Sequence, residues 1–272
     1  MECQFEQALT MQRISDVAAV SDRPETIAER LVSIVQRSPL RQHPFDHIYM
    51  DDLFAPAVYR EMLAEMPAAY RFHQLVHRDA LRQDGSSTRL RMYLYPELLR
   101  ELPESQRNVW IPVAEALCAP DLETAFKLKF RSALEDRFKK PVEQIRLYPI
   151  PVLLRDQPGY RIGIHADVPS KAITVQFYLP EDVAQRDIGT IFHDGQDGDA
   201  AARTTQMPFM PASGYAFPVS ATKSWHSAAQ SSERDGERVS IMLTYYAAEE
   251  PLRRLKLRLR RSALRFGIHP KG

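Results

Sequence analysis

A chain of 272 residues that is 44% apolar and 26% charged has the composition of an ordinary globular protein, and it is long enough to bury a large core without covalent staples. Its net charge of +1 excludes a general electrostatic pull toward nucleic acid or membrane, so any such attraction has to be local. Two cysteines, Cys3 and Cys118, with no CxxC pair, exclude a disulfide framework, a zinc ribbon and a thioredoxin-type site, and they fit a reducing cytoplasm.

The first residues carry Glu2 and Glu6 and no long apolar stretch, so they do not read as a signal peptide. No run of about 18 uncharged apolar residues occurs, so no bilayer span is expected. Residues 1–43 read as a helical leader in which Ile27, Leu31, Ile34 and Val35 share one face. Residues 43–50 read as a short strand. A helix is predicted after Asp52, with Pro56 in its first turn, with Tyr59, Met62, Leu63 and Met66 on its buried face, and with Pro67 as its end. Another is predicted after Pro120, with Asp121 as N-cap and Leu122, Phe126, Phe130, Leu134 and Phe138 recurring every fourth residue. Residues 44–144 are thus expected to be mainly helical and to pack on a C-terminal core.

Near residue 145 the period changes from helical to two. Alternating runs at 147–154, 160–167, 171–179, 188–193, 214–219 and 238–247 are separated by Gly, Pro, Asp and Ser clusters. So many short strands in about 100 residues predict a sandwich or jelly-roll barrel over 145–248. The fold class expected is mainly β with flanking helices, in one compact domain. Residues 249–272 form a basic tail, and 252–266 reads LRRLKLRLRRSALRF, with seven Lys or Arg and no acid. Leu252, Leu255, Leu259 and either Leu264 or Phe266 can share a helical face. Two readings stay open there: a packed terminal helix with a solvated basic side, or a helix that touches an anionic membrane surface.

The chemistry concentrates in three places. In Arg161-Ile162-Gly163-Ile164-His165-Ala166-Asp167, strand alternation puts His165 and Asp167 on one side and Ile162 and Ile164 on the other. An imidazole and a carboxylate two residues apart are two adjacent metal ligands, although a lone H-x-D arises easily by chance. In Lys223-Ser224-Trp225-His226-Ser227, a later histidine can complete a 2-His-1-carboxylate facial triad, which leaves three metal positions open. Twelve residues on, Arg238 and Ser240 share a strand face. A guanidinium holds a carboxylate by two parallel hydrogen bonds, and Ser240 can add a third.

This ordered set resembles the Fe(II)/2-oxoglutarate dioxygenase superfamily, whose pattern is H-x-D, a distal His, then Arg and x-Ser. The Pro158-Gly159 approach to the first ligand strand is similar to the family's, as are 171–180, Ile188-Gly189-Thr190 and 213–217. The resemblance covers about residues 145–248. It implies a double-stranded β-helix, with Fe(II) held by His165, Asp167 and His226 and with 2-oxoglutarate anchored by Arg238 and Ser240. Halogenating members leave the carboxylate position to a small residue, so Asp167 favours hydroxylation or a related oxidation that yields succinate and CO2. Gln176, Tyr178 and Trp225 are candidates to orient the ligands, core packing being preferred for Trp225. Arg155 is a candidate for the 1-carboxylate or the substrate.

The expected substrate is a small metabolite or a saccharide, with an amino acid or natural-product intermediate as the alternative. Nucleic acid is not expected, because no aromatic-interleaved basic groove is visible. A non-catalytic cupin-like metal- or sugar-binding protein is the competing reading. His73 and His77 have zincin-like spacing but Gln74 replaces the catalytic Glu, so a surface or structural role is expected. Asp194, Asp197 and Asp199 lack the terminal Glu of a calcium loop and read as a lid-like loop.

Overall fold

The computed structural model describes residues 25–75, 78–196, 204–228, 230–248 and 251–266. Most of the expected leader, His77, Asp197 and Asp199 lie outside them. Within them the chain forms α1 (Ile27–Arg37), β1 (Ile48–Met50), α2 (Pro56–Ala64), β2 (His73–Gln74), β3 (Arg89–Tyr93), α3 (Glu104–Leu117), α4 (Pro120–Lys129) and α5 (Arg131–Phe138). The C-terminal part forms β4 (Leu147–Asp156), β5 (Ile162–His165), β6 (Lys171–Tyr178), β7 (Thr190–His193), β8 (Thr204–Gln206), β9 (Gly214–Pro218), β10 (Trp225–Ala228), β11 (Arg238–Ala247) and α6 (Pro251–Leu264).

The described strands form two antiparallel sheets. The larger runs β1-β9-β6-β11-β4-β3-β2 and the smaller β5-β10-β7-β8. Phe192 of the smaller sheet meets Tyr215 and Phe217 of the larger one edge to face, at 5.1 and 5.5 Å between ring centres. The two sheets therefore close on each other as a jelly roll.

Period-2 alternation assigns each face of the larger sheet. Ile173, Val175 and Phe177 of β6 and Ile241, Leu243 and Tyr245 of β11 turn outward. There they share one core with Leu31, Ile34 and Val35 of α1, Trp110 and Val113 of α3, Phe126 of α4 and Leu134 of α5. The intervening residues Thr174, Gln176, Tyr178, Arg238 and Ser240 turn inward. The helical layer thus stiffens one side of the sheet and leaves the other free for polar chemistry.

Two helix readings need correction. Asp121 is not the N-cap: Ala119 holds that position and Pro120 takes the first helical turn, where its missing N–H costs nothing. The stripe from Leu122 to Phe138 is also not one helix, because the backbone bends at Phe130 (φ −107°, ψ 26°). A four-residue repeat advances about 40° per step around a helix. A straight helix would carry the end of such a stripe off the core, and Phe138 is only partly buried even with the bend. Five further elements escaped the sequence reading: α3, β2, β3, β8 and β10. The strands β1, β2 and β3 extend the larger sheet, so the segment before residue 145 is less purely helical than its periodicity suggests.

Of the His73–His77 pair only His73 falls within the described residues, and it lies in β2 and is exposed. The α6 stripe is also rearranged: Leu264 is buried and Leu257 partly so, whereas Leu252, Leu255, Leu259 and Phe266 face solvent. No helix among the described residues is long and apolar enough to cross a membrane.

Candidate metal centre

Cross-strand pairing builds the site. β5 and β10 are neighbours, and His165 and His226 are register partners. Their rings lie 4.2 Å apart between centres. Asp167 comes two residues after His165 and falls on the same side. The ligand atoms of His165, Asp167 and His226 all lie within 4.8 Å of one another.

Each histidine has its tautomer fixed by the backbone. Nδ1 of His165 lies 3.0 Å from the Gly163 carbonyl, and Nδ1 of His226 lies 3.0 Å from the Ser224 carbonyl. A carbonyl only accepts, so Nδ1 donates in both rings and Nε2 keeps its lone pair. Burial pulls the His226 pKa down to about 4, against the opposing effect of Asp167, so this ring is neutral at pH 7. Burial pushes Asp167 the other way, but the Lys171 ammonium and His226 outweigh it and hold the carboxyl well below its ordinary range. One Asp167 oxygen accepts from Lys171 Nζ at 2.5 Å and the other from Thr174 Oγ1 at 2.6 Å. Two imidazoles, each with Nδ1 held by a backbone carbonyl so that Nε2 is turned to the cluster, and one carboxylate are a donor set that fits a divalent cation with open positions.

These residues line a cavity of about 490 Å³ together with Arg89, Tyr160, Lys171, Gln176, Thr190, Tyr215 and Arg238. A larger depression of about 720 Å³ beside the Pro158–Gly159 turn contains none of the three ligands. That turn puts Gly159 at φ +89°, a conformation that costs glycine little. It reverses the chain from β4 into β5.

Arg238 is 2% exposed and reaches the cavity wall. Its Nη1 donates to Asp156 at 3.0 Å and its Nη2 to Thr190 Oγ1 at 3.1 Å, while Nε is buried without a partner. Burial works against the charge, and Tyr178 and Asp156 beside it more than offset the burial. Arg89 lies on the far side of Asp156, with Nε 2.9 Å from Oδ1 and the guanidinium 4.9 Å from the Tyr160 ring centre. The order Arg89–Asp156–Arg238 comes from register, because these three residues are direct partners across β3, β4 and β11. With Lys171 and Asp167 added, the site brings together three cations and two carboxylates.

Other predicted residues fall elsewhere. Ser240 is fully buried, but its hydroxyl accepts from Gln176 Nε2 at 2.8 Å and does not line the cavity. Gln176 stands in front of it and in turn accepts from the Tyr215 hydroxyl at 2.7 Å. Ser240 therefore orients the wall rather than contacting a ligand directly. Arg155 is excluded from the site, because one step along β4 separates it from Asp156 and turns it to the opposite face. There it pairs with Glu237 and covers the Phe72 ring at 5.4 Å. Tyr178 is buried beside Arg238, with its hydroxyl accepting from the Thr190 N–H at 3.1 Å. Trp225 is half-buried, joins no core cluster, and donates its indole N–H to the Thr222 carbonyl.

The sequence reading missed Lys171, Thr174, Arg89, Asp156, Thr190 and Tyr215. A signal existed for Thr174: it alternates with Gln176 and Tyr178 along β6, so three polar groups face one side of a strand whose other side is apolar. None existed for Arg89, whose strand was not recognised.

No protein-family model matches the chain, and no curated protein sequence does. Among solved structures, the chain is similar to a Pseudomonas putida prolyl-4-hydroxylase, at 14% identity and a TM-score of 0.50, with 80% of this chain and 98% of that one covered. It is likewise similar to the rice dioxygenase for auxin oxidation, at 14% identity and a TM-score of 0.50, with 81% of this chain and 78% of that one covered. The two sheets, their antiparallel order and these likenesses agree: the chain has the double-stranded β-helix fold, shared with these two enzymes.

Proposed function

We propose that the chain is an Fe(II)- and 2-oxoglutarate-dependent oxygenase that oxidises a C–H bond of a small molecule. The observation that carries this reading is the His165–Asp167–His226 cluster, with both Nε2 lone pairs fixed toward a cavity whose wall holds a buried arginine. When bound there, iron supplies oxygen activation coupled to decarboxylation of the 2-oxo acid; the rest falls to the side chains.

Arg238 is the anchor for the far carboxylate. Its guanidinium is held edge-on by Asp156 and Thr190 and presents a charge that water cannot screen in a buried wall. Gln176 and Tyr215 fix the orientation of that wall through the bonds to Ser240 and Thr190. Three cations against two carboxylates favour a dianionic cosubstrate over a neutral one. Lys171 and Thr174 hold the two oxygens of Asp167, which keeps the carboxylate in one rotamer before metal arrives.

The presence of Asp167 supports hydroxylation or a kindred oxidation over halogenation. A cavity of about 490 Å³ exceeds the need of a five-carbon dicarboxylate and leaves space for a small metabolite or a sugar unit. A non-catalytic binding protein would have no use for the buried Arg238–Asp156–Arg89 set.

The test is succinate release. Protein loaded anaerobically with Fe(II) and given 2-oxoglutarate and air should release succinate, and a screen of metabolite pools should accelerate it. Absence of both succinate and any 2-oxoglutarate-dependent absorbance from the iron-loaded protein would return the reading to a binding protein.

A further inference from the structure

The helix α6 is amphipathic twice over. One face is spent on the body of the protein: Leu264 is buried, and Leu257 packs on the cluster of Tyr93, Tyr95, Ile150, Val152 and Leu154. Arg261 grips Glu97 with two hydrogen bonds at 2.5 and 2.7 Å and lies 4.2 Å over the Tyr95 ring centre. Arg260 donates to the Tyr93 hydroxyl at 3.2 Å. These contacts set the rotation of the helix about its own axis.

With that rotation fixed, a second apolar row points away from the body. Leu252, Leu255 and Leu259 are 80%, 53% and 60% exposed, and Phe266 just beyond the helix is 80% exposed. At about 100° per residue the three leucines fall within about 60° of one another. Lys256 lies on one flank of the row and Arg258 on the other, and both are exposed. The segment from 252 to 266 contains seven basic residues and no acid. A packed terminal helix needs one apolar face, and nothing in that role calls for an outward leucine row between cations.

We infer that this outward face of α6 docks on an anionic lipid surface, the leucines and Phe266 entering the interface and Lys256 and Arg258 meeting headgroup phosphates and carboxylates, while Arg265 stays beside Glu97 on the body. The charge complementarity selects the occupant: an apolar row flanked on both sides by cations matches the layered chemistry of a negatively charged leaflet. The inference does not depend on the proposed oxygenase activity. The two sites adjoin, since Leu75 and Met242 belong both to the apolar patch that seats α6 and to the wall of the metal-site cavity.

The experiment is cosedimentation of the full-length protein with vesicles of phosphatidylcholine alone, or containing about 30% phosphatidylserine, over a range of salt. Binding is expected to the mixed vesicles only and to weaken as salt rises. Lys256→Gln and Arg258→Gln should each weaken it about fivefold. The double variant Leu255→Ser/Leu259→Ser should lose at least tenfold, with its circular dichroism and metal binding unchanged because both side chains are exposed. Failure of the wild type to bind mixed vesicles at low salt would overturn the inference. So would undiminished binding by the leucine variant, the mark of a simple polyanion site such as one for nucleic acid. A dimer in solution that the leucine variant abolishes would overturn it in favour of a second copy of the chain.

Discussion

His226 offers a quantitative test of the metal-free site. Burial is the main cause that lowers its pKa from the ordinary 6.5 to about 4, with the nearby Asp167 acting the other way. The folded chain therefore takes up the proton less readily than the unfolded chain does. By linkage, stability is intact above pH 6.5, falls as pH drops from 6.5 toward 4, and loses nothing further from this group below 4. Each pH decade is worth about 1.4 kcal/mol, so the full loss is roughly 3 kcal/mol. His47 and His193 are also lowered by burial and add losses of the same sign, so the contribution of His226 has to be isolated by difference. The assay is urea unfolding of chelator-treated wild type and His226→Gln at pH 7 and at pH 4.5. The wild type should lose more stability between the two, by about 2–3 kcal/mol. Saturating metal, which binds only the neutral ring, should flatten the wild-type profile. Equal losses in wild type and variant would refute the claim that the His226 ring is buried and neutral, and with it the preformed donor set.

Thr174→Val removes the hydroxyl that Asp167 accepts from while keeping the shape, and divalent metal affinity read by Co(II) absorbance should fall about 10–100-fold. Arg238→Met removes the anchor while Asp156 keeps Arg89, so the chain should fold and 2-oxoglutarate binding by calorimetry should weaken at least a hundredfold. Arg155→Ala should leave that binding unchanged, since its partner Glu237 lies across β4 from the site, and a loss there would show the β4 register to be wrong. Gly189→Ala would bring its Cβ to 1.7 Å from the Met207 carbonyl oxygen, and thermal unfolding should reveal a loss of about 1–3 kcal/mol or more.

What the sequence made legible is what period and type can carry. Period-2 runs located β4, β6 and β11 almost to the residue: β6 and the first half of β11 have one face in an apolar core and one in a polar interior, and β4 is marked by a run of apolar residues that packs on both faces. The same alternation paired His165 with Asp167 and Arg238 with Ser240 before any contact was known. Short strands hid for the opposite reason. β10 has only four residues, and β3 reads as mixed charged and apolar because it carries Arg91, which is buried, and Arg89, which is partly buried. Arg155 shows where a single strand's pattern stops being informative. Nothing in that pattern says which of Arg155 and Asp156 faces inward, since both are charged. The ladder decides it: Arg238 is the register partner of Asp156, not of Arg155, and the inward set is fixed by that pairing.

That pairing also explains why the proposed anchor comes as a group of three. A lone guanidinium buried at this depth would carry a large desolvation cost. Asp156 compensates it, but one carboxylate against one arginine would leave the wall neutral and without attraction for a dianion. Arg89, brought alongside by β3, restores a net positive charge while Tyr160 covers its exposed side. The helical N-terminal segment thus contributes to the β-core's chemistry through the strand it adds. Replacing Arg89 with Met should therefore weaken 2-oxoglutarate binding even if Arg89 never touches it. The expected loss is smaller than for Arg238, because the remaining Arg238–Asp156 pair keeps its geometry and forfeits only the unbalanced charge. Wild-type affinity in that variant would show that Arg89 serves the stability of the wall and not its field.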